Sequence, residues 1–359
     1  MFGNKRIYTV LIVDDSPVVR RVLRSIISKD PALKVIAEAA DPYQARDQIL
    51  KHRPDVITLD IEMPRMDGLT FLKILSKENP IPVVIISSLS QRGSKVALEA
   101  LSRGAVEVFG KPGGSSSVPQ EEDLLRQKIR TAAEIGPKAY RQAQRFSNQS
   151  RPNVVRPGLG KRIEERQLLL LGASTGGTEA LAHVLSHLPA AVPGILIVQH
   201  LPPVFTAGFA DRLNRICPFA VKEAEDGDIV GPGRACVAPG GFHMAVHQQG
   251  AHYRVRLTQT PPVWHQRPAV DILFQSAARL KQTRMVAAIL TGMGKDGADG
   301  MLALKNVGAT TFAEDESTCV VFGMPRAAKE IGAAQKMVPL HRMARALEEQ
   351  IVAQKAVLS

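Results

Sequence analysis

The alternation of short apolar segments with amphipathic segments limits the folds open to this chain more than any other feature. In residues 1–134, five runs rich in aliphatic and β-branched residues are separated by stretches with helical periodicity. Because near-continuous apolar strands that alternate with helices are typical of parallel sheets, the pattern predicts a doubly wound α/β domain. The predicted strands are Ile7–Val13, Lys34–Glu38, Val56–Asp60, Val83–Ser87 and Ala105–Phe109. The predicted helices are Val18–Ser28, Tyr43–Leu50, Leu69–Lys77, Ser94–Ser102 and Glu121–Ala133.

A second alternation of the same kind follows a stretch of different composition. Residues 136–165 are rich in proline, glycine, serine, asparagine and basic residues and lack an apolar period, as is typical of a linker. Further strands are predicted at Leu168–Leu171, Gly194–Val198 and Met285–Thr291, with helices at Thr178–Ser186, Ala269–Lys281 and Ala298–Asn306. A chain of 359 residues has room for two domains. We therefore expect two doubly wound parallel-sheet domains, residues 1–135 and 166–355, joined by a linker at 136–165.

Composition and charge exclude several classes of protein. The three cysteines are odd in number and lack a C-x-x-C spacing, which argues against a disulfide framework or a zinc site. The apolar run Tyr8–Val13 is too short for a signal peptide or a membrane span, so a cytoplasmic protein that is not membrane-embedded is expected. The net charge is +12, but no basic helix with interleaved aromatic residues accompanies it. The charge therefore indicates acidic partners rather than nucleic acid.

Acidic, hydroxyl and basic residues follow the strands of the first predicted domain. They are Asp14, Asp15, Asp60, Ser87 and Lys111. Because the carboxyl ends of parallel strands meet at one edge of a sheet, these side chains are expected to converge. Three close carboxylates require a hard divalent cation, and Mg²⁺ prefers such oxygen ligands. A metal-supported aspartate can accept a phosphoryl group, whose oxygens the hydroxyl and the lysine would bind.

This set of residues resembles the response-regulator receiver family, together with the segments Met63-Pro64-x-Met66-Asp67-Gly68 and Lys111-Pro112. The resemblance implies that a histidine kinase of a two-component system phosphorylates Asp60 and that Ser87 and Lys111 form the switch. It implies that Mg²⁺ is held by Asp14, Asp15, Asp60 and the carbonyl of Glu62. The sequence departs from several receivers at Val108, three residues before the lysine, where they carry an aromatic residue. The aromatic rotamer switch of those receivers therefore lacks its ring here.

A serine in a glycine-rich turn marks the second domain. The segment Gly172-Ala173-Ser174-Thr175-Gly176 follows an apolar strand and precedes a helix, whose N-terminus supplies N–H groups for an oxyanion. His200 ends the next strand, and Asp296 lies in the loop after a third. Since all three follow parallel strands, they can meet as nucleophile, base and orienting acid. Their Ser-His-Asp order differs from that of α/β-hydrolases, which predicts another fold.

Two other functions remain open from these residues alone. The glycines of Gly292-x-Gly294-x-x-Gly297 follow a strand and fit a dinucleotide-binding fingerprint, with Glu314 as the later acidic residue. Asp296 inside that loop would place a carboxylate against a pyrophosphate, which argues against this function. The other alternative is a signalling module in which a receiver is joined to an inert or ligand-binding α/β domain.

The chain resembles the chemotaxis protein-glutamate methylesterase (CheB) family along nearly its whole length. The resemblance is carried by the segments Gly172–Ala180, Val198–Pro203, Ala238–Gly241, Leu290–Gly294 and Val321–Arg326, behind an N-terminal receiver. It implies a two-domain fold of a flavodoxin-like receiver and a Rossmann-like catalytic domain.

The family resemblance implies a role for each residue of the second site. Ser174 would be the nucleophile, His200 the general base and Asp296 the carboxylate that orients it, with backbone N–H groups of Thr175 and Met293 as the oxyanion hole. It implies hydrolysis of γ-glutamyl methyl esters on methyl-accepting chemotaxis receptors, and deamidation of receptor glutamines, without an esterase cofactor. It also implies that the unphosphorylated receiver blocks the catalytic site and that phosphorylation activates the enzyme.

Overall fold

A computed structural model describes residues 6–88, 90–112, 119–148 and 166–356. The chain divides into two compact units, Met1–Arg145 and Phe146–Ser359. In the part of the chain that is described, no helix combines the length and the apolar character needed to cross a membrane.

The first unit is a five-stranded parallel sheet with the strand order β2-β1-β3-β4-β5. This is the flavodoxin-like doubly wound order. Its strands are β1 (Tyr8–Val13), β2 (Leu33–Ala39), β3 (Val56–Asp60), β4 (Val83–Ser87) and β5 (Glu107–Gly110). Its helices are α1 (Pro17–Ile27), α2 (Pro42–His52), α3 (Gly68–Glu78), α4 (Gln91–Ser102) and α5 (Pro119–Asn148). The doubly wound fold predicted for this part of the chain is confirmed.

Three helices of the first unit begin at side chains that accept hydrogen bonds from their first turn. Ser16 accepts from Val19 N–H, and Asp67 accepts from Thr70 N–H. Asp41 accepts two N–H groups at the start of α2. Such caps satisfy backbone donors that a helix leaves unpaired at its N-terminus. They fix where each helix starts after its strand and thereby shape the loops at the carboxyl edge of the sheet.

Helix α5 extends beyond the predicted Glu121–Ala133. It continues to Asn148 through Gly136, whose backbone is not helical (φ 67°, ψ 161°). A Gly-Pro pair at 136–137 normally ends a helix, and here it produces a kink instead. The first part of the predicted linker is therefore helical, and its residues 149–165 lie outside the described residues.

The second unit is built on a seven-stranded parallel sheet with the order β15-β14-β13-β6-β7-β10-β8. These strands are β6 (Gln167–Ala173), β7 (Gly194–Gln199), β8 (Ala220–Glu223), β10 (Arg234–Val237), β13 (Arg284–Ile289), β14 (Thr310–Glu314) and β15 (Lys336–Val338). A small antiparallel sheet, in the order β11-β12-β9, comprises β9 (Ile229–Val230), β11 (His243–Gln249) and β12 (His252–Thr258). The helices are α6 (Gly177–Ser186), α7 (Pro203–Ile216), α8 (Val270–Ala277), α9 (Ala298–Asn306), α10 (Met324–Glu330) and α11 (Leu340–Ala356).

Strand β6 lies at the centre of the large sheet and is buried along its whole length. Successive side chains of a strand point to opposite faces, so complete burial means that helices cover both faces. Leu168 and Leu170 pack in one core cluster with Val270 and Phe274 of α8. The chain runs from β6 to β7 on one side and later adds β13 on the other. Ligand sites of doubly wound sheets form outside such a switch point, at the carboxyl ends of the strands.

Candidate phosphorylation and active sites

Three carboxylates converge at the carboxyl edge of the first sheet. Asp14 and Asp15 follow β1, and Asp60 ends β3, which pairs with β1. One carboxylate oxygen from each of the three lies within 4.8 Å of those of the other two. Asp14 and Asp60 are almost completely buried, while Asp15 is exposed. This group of oxygen ligands, open on one side, suits a hard divalent cation such as Mg²⁺.

Lys111 lies beside these carboxylates. Its ammonium is 2.7 Å from Oδ2 of Asp60 and 3.1 Å from Oδ2 of Asp14. Burial raises the pKa of both carboxyl groups, and the nearby ammonium opposes that rise. For Lys111 itself, burial disfavours the charged form, but the bond to Asp60 and the two carboxylate charges outweigh it and raise its pKa. The charged ammonium is therefore favoured beside Oδ2 of Asp60.

The other residues expected around Asp60 have defined positions. Ser87 ends β4, and its carbonyl accepts a hydrogen bond from Lys111 N–H (2.8 Å). Glu62 N–H donates to Oδ1 of Asp60 (3.3 Å). Val108 is completely buried and pairs with Ile85 in the sheet. A buried aliphatic side chain cannot move between inward and outward positions as a surface aromatic ring can.

Ser174 directly follows β6 and is held by its backbone on two sides. Its N–H donates to the carbonyl of Thr291 (3.0 Å). Its carbonyl accepts from the side-chain amide of Gln199 (2.8 Å) and from Gly177 N–H (2.7 Å). The turn is thus tied to the ends of both neighbouring strands before α6 begins, and the serine is 5% exposed.

His200 lies next to Ser174 because of the register of the sheet. Ala173 pairs with Gln199, and His200 N–H donates to the carbonyl of Ala173 (3.2 Å). The Nε2 atom of His200 is 2.8 Å from Oδ2 of Asp296, and both side chains are 2% exposed. The buried Nδ1 atom has no hydrogen-bond partner among the described residues. Nε2–H therefore faces the carboxylate, and Nδ1 is the nitrogen left to accept a proton. A hydrogen bond between such a base and its nucleophile is often long or absent in the free enzyme and tightens only when substrate binds.

The carboxylate of Asp296 is fixed by the start of α8. Its Oδ2 accepts Val270 N–H (2.7 Å), and its Oδ1 accepts Asp271 N–H (2.9 Å). The N–H groups and the dipole at a helix N-terminus favour a negative charge. Both oxygens are thus committed to protein donors and to His200, which leaves this carboxylate no position suited to a pyrophosphate. The contact of Oδ2 with Nε2 of His200 links the imidazole to this fixed carboxylate.

The two peptide groups expected to form an oxyanion hole share one geometric feature. The carbonyl of Gly292 accepts from Gly323 N–H (3.1 Å) and Met324 N–H (2.8 Å) at the start of α10. Because a trans peptide points its C=O and N–H in opposite directions, Met293 N–H is directed away from α10. The Ser174 carbonyl is bound by Gln199 in the same manner, which directs Thr175 N–H away from that side chain.

Three polar residues support this turn; only Glu314 was named from the sequence, and that as the acidic residue of the alternative dinucleotide-binding fingerprint. Gln199 holds the carbonyl of Ser174, and Thr291 donates its hydroxyl to the carbonyl of Thr175 (3.0 Å). Glu314 is completely buried, and its Oε2 accepts Thr291 N–H (2.9 Å). Each is a buried polar residue at or just after the end of an apolar strand. That pattern is visible in the sequence and could have indicated them, since such groups are buried only when they are hydrogen-bonded.

Comparison with known proteins matches two segments of the chain to two different family models. A family model described as CheB methylesterase matches residues 169–347, and one described as response regulator receiver domain matches residues 10–121. A protein of Syntrophus aciditrophicus named protein-glutamate methylesterase/protein-glutamine glutaminase 2 is 48% identical over 340 residues, which are 93% of this chain and 96% of that protein. The protein of the same name from Pseudomonas aeruginosa is 48% identical over 344 residues, 95% of this chain and 96% of that protein.

A third relative is similar over almost its whole length. The protein-glutamate methylesterase/protein-glutamine glutaminase of Escherichia coli K12 is 45% identical over 350 residues, which are 97% of this chain and 98% of that protein. Identity of this extent over both parts of the chain confirms the family inferred from the sequence motifs. The chain therefore belongs to the CheB methylesterase family, with a response regulator receiver domain at its N-terminus.

Proposed function

We propose that this chain is a phosphorylation-activated protein-glutamate methylesterase that hydrolyses γ-glutamyl methyl esters on methyl-accepting chemotaxis receptors. It also acts as a protein-glutamine glutaminase on receptor glutamines. The observation that carries this proposal is the convergence of Ser174, His200 and Asp296 at the ends of three adjacent strands, with the carboxylate bound to Nε2 of the imidazole (2.8 Å). A signalling module without catalysis would have no use for a buried imidazole held in one tautomer by a buried carboxylate.

The proposed chemistry runs through an acyl-enzyme. Nδ1 of His200 takes the proton of the Ser174 hydroxyl as the oxygen attacks the ester carbonyl. The carbonyl oxygen becomes negative, and the N–H groups of Thr175 and Met293 stabilise it. The imidazolium, stabilised by Asp296, returns the proton to the departing methoxide, and methanol leaves. Water then cleaves the acyl-enzyme by the reverse proton path and releases glutamate; a glutamine side chain releases ammonia instead.

For the first unit we propose phosphorylation of Asp60 by a histidine kinase. Mg²⁺ would be held by Asp14, Asp15, Asp60 and the carbonyl of Glu62, and would neutralise the charge of the incoming phosphoryl group. Ser87 and Lys111 would bind the phosphoryl oxygens on Asp60. The esterase needs no cofactor in this proposal. We assign residues 1–135 to the receiver domain, 136–165 to the linker and 166–355 to the catalytic domain of a cytoplasmic protein.

Replacement of the nucleophile tests the chemistry. In Ser174→Ala, methanol release from methylated receptor should fall by several orders of magnitude, because the members of a triad act as a unit. The loss of one hydroxyl from the turn should leave the unfolding curve close to that of the wild type. Release of methanol is measured with receptors that carry an isotopically labelled methyl group. Substantial turnover by the variant, after wild-type contamination is excluded, would contradict the assignment of Ser174.

A further inference from the structure

A two-residue turn beside Asp296 carries the single tryptophan of the chain. Val263 and Gln266 exchange both backbone hydrogen bonds (2.9 and 3.0 Å), so Trp264 and His265 are the central residues of a tight hairpin. Both have positive φ values, 51° and 61°. Turns of this kind favour Asn-Gly or Gly-Gly, because bulky side chains in the left-handed region are strained. The chain therefore accepts a conformational cost to present these two side chains here.

The indole of Trp264 is fixed in place although 43% of the residue is exposed. Its Nε1–H donates to Oδ2 of Asp271 (2.9 Å), and the ammonium of Lys295 lies 4.0 Å from the ring centroid. Asp271 is buried, and burial raises the pKa of this carboxyl group. A buried carboxylate is a costly means of holding an exposed ring, since its desolvation must be offset by hydrogen bonds. Tryptophan is enriched at binding contacts, and an exposed ring whose N–H is already bound by the protein presents its apolar surface to a partner.

The indole is connected to the catalytic carboxylate from two directions. Asp271, which binds the indole, donates its own N–H to Oδ1 of Asp296 (2.9 Å). Lys295, which lies on the ring, is the residue before Asp296 in the loop that also contains Met293. Trp264 therefore borders the loop that carries the orienting carboxylate and one proposed oxyanion donor.

The charge around the indole indicates what kind of surface it meets. Lys295 and His265 are exposed. No carboxylate in the described part of the chain lies within 4 Å of the Lys295 ammonium, which lies over the face of the Trp264 ring. Receptor segments that carry esterified glutamates also carry free glutamates once some methyl groups are removed. A flat apolar ring with an adjacent cation complements a helix that presents methylene groups, methyl esters and carboxylates together.

We propose that Trp264 and Lys295 form a contact for the acidic receptor helix next to the glutamate being demethylated, and that this contact selects the protein substrate. The indole packs on the aliphatic part of the helix, and Lys295 pairs with a neighbouring glutamate. This inference rests on the proposed function, because it assumes that the catalytic loop acts on a receptor helix. It assigns to the Trp264–His265 turn a role that the triad chemistry does not require.

The kinetic test compares two substrates on the full-length chain activated with beryllofluoride and Mg²⁺. One is methylated receptor, and the other is a small neutral acyl ester such as p-nitrophenyl acetate, which reaches Ser174 without a helix. In Trp264→Ala we expect kcat/KM for the receptor to fall about tenfold, mainly through KM, with a much smaller change for the small ester. Lys295→Gln should give a smaller loss of the same kind, which added salt reduces. Val307→Ala, which shortens an exposed apolar side chain at the end of α9, is the matched control.

The outcomes separate this inference from its alternatives. If Trp264→Ala lowers kcat/KM equally for both substrates, Trp264 only stabilises the loop. If its kcat/KM values equal those of Val307→Ala, Trp264 has no role. Either outcome overturns the inference. Trp264→Phe keeps a ring in the turn, so it gives a second reading if the alanine variant fails to fold. If the wild type itself releases no methanol, the proposed function fails instead.

A binding measurement that needs no turnover completes the test. In the Ser174→Ala chain, Trp264 is the only tryptophan, so its fluorescence reports on this turn alone. A helical peptide that carries a γ-glutamyl methyl ester among free glutamates should change the emission in a saturable manner. The same peptide with glutamine in place of the free glutamates should bind several-fold more weakly. The contact would be overturned if the emission stayed unchanged at peptide concentrations that inhibit receptor demethylation by the wild-type chain.

Discussion

Glu314 is an ionisable residue buried beneath the turn that carries Ser174. The residue is completely buried, and burial raises its pKa from the ordinary value of 4.5 to about 7. Its Oε2 accepts Thr291 N–H, and this bond and the nearby Thr318 hydroxyl oppose the rise in pKa without cancelling it. The carbonyl of Thr291 in turn accepts Ser174 N–H. One carboxyl group thus supports the backbone that holds the nucleophile, and its charge state changes near neutral pH.

The raised pKa of Glu314 predicts how stability depends on pH. The folded chain holds this proton more tightly than the unfolded chain. Its contribution to the free energy of unfolding is therefore complete below about pH 4.5 and is lost as pH rises to about 7. Glu314→Gln stays uncharged and can still accept Thr291 N–H. Its free energy of unfolding relative to the wild type should therefore increase with pH, by at most about 3 kcal/mol.

Urea unfolding followed by Trp264 fluorescence at about pH 5 and about pH 8 measures this difference, because the single tryptophan lies in the catalytic unit. Glu330→Gln, at the exposed end of α10, is a control that removes a carboxyl group from the surface. An identical change of stability with pH in wild type and Glu314→Gln would show that Glu314 does not titrate in this range.

At the scale of elements, the loop from β13 to α9 is fitted to the nucleophile turn by close contact. A Cβ atom on Gly292 would lie 2.8 Å from Cβ of Ser174 and 2.3 Å from the sulfur of Met324. Real Cβ atoms essentially never approach other atoms so closely. The flexible end of Met324 could move aside, but Ser174 Cβ and the Ser174 backbone nitrogen (3.1 Å) could not, so a side chain here must displace the serine. The glycine is required at this position for space rather than for an unusual φ.

Gly292→Ala should therefore reduce catalysis more than stability. A shift of the nucleophile of even about 1 Å can cost about a hundredfold in rate, and we expect kcat to fall by about that factor. The matched control is Gly308→Ala, whose φ of 88° is strained for alanine but whose Cβ would meet nothing within 4 Å. That variant should lose about 1 kcal/mol of stability with normal kcat. Steady-state kinetics and urea unfolding of both variants decide whether close packing at Gly292 serves catalysis.

The elements that bear the candidate site could be predicted because they follow simple rules. Ser174, His200 and Asp296 come directly after or near apolar strands, and parallel strands bring their carboxyl ends to one edge. Strands β3 and β4 have the predicted bounds, Val56–Asp60 and Val83–Ser87. The residue roles drawn from the family stay predictions until the variants are measured.

Other elements depend on contacts that a linear pattern does not contain. The antiparallel strands β11 and β12 were not predicted, since one face of this small sheet is exposed and its residues are largely polar and basic. The helical ending of α5 beyond Gly136 was missed because a Gly-Pro pair is a strong local signal for a break. The hydrogen bonds of Asp296 to Val270 and Asp271 join residues 26 and 25 positions apart, so they appear only once α8 is placed.

At the scale of the whole molecule, the receiver chemistry predicts control of the esterase. Beryllofluoride with Mg²⁺ mimics a phosphoryl group on an aspartate and should activate the full-length chain. Because Asp60 is the proposed acceptor of the group, Asp60→Asn should abolish this activation and leave the unstimulated rate in place. Deletion of residues 1 to about 150 should raise the basal rate, since the family resemblance implies that the unphosphorylated receiver inhibits.

This regulation is measured as methanol release, with and without beryllofluoride, by the full-length chain, the Asp60→Asn variant and the chain without residues 1 to about 150. Glu62→Gln is the matched control for Asp60→Asn. Glu62 is proposed to bind Mg²⁺ through its backbone carbonyl, which this substitution retains, so beryllofluoride should still activate the variant. An isolated catalytic domain no faster than the unphosphorylated chain would contradict inhibition by the receiver. Asp60 would then act by another route, such as recruitment to the receptor.

The strand order of the catalytic unit has a consequence for how activity is acquired during folding. The bond between His200 and Asp296 joins residues 96 positions apart, and β6 must lie between β7 and β13 before it can form. Non-local pairings of this kind form late, because chain closure must precede the contacts that reward it. On the proposed mechanism, a newly synthesised chain should therefore hydrolyse esters only after residues beyond Asp296 have left the ribosome. Chains that lack this contact should not demethylate receptors. The rate at which esterase activity returns after denaturation should therefore report the rate at which the central sheet is completed.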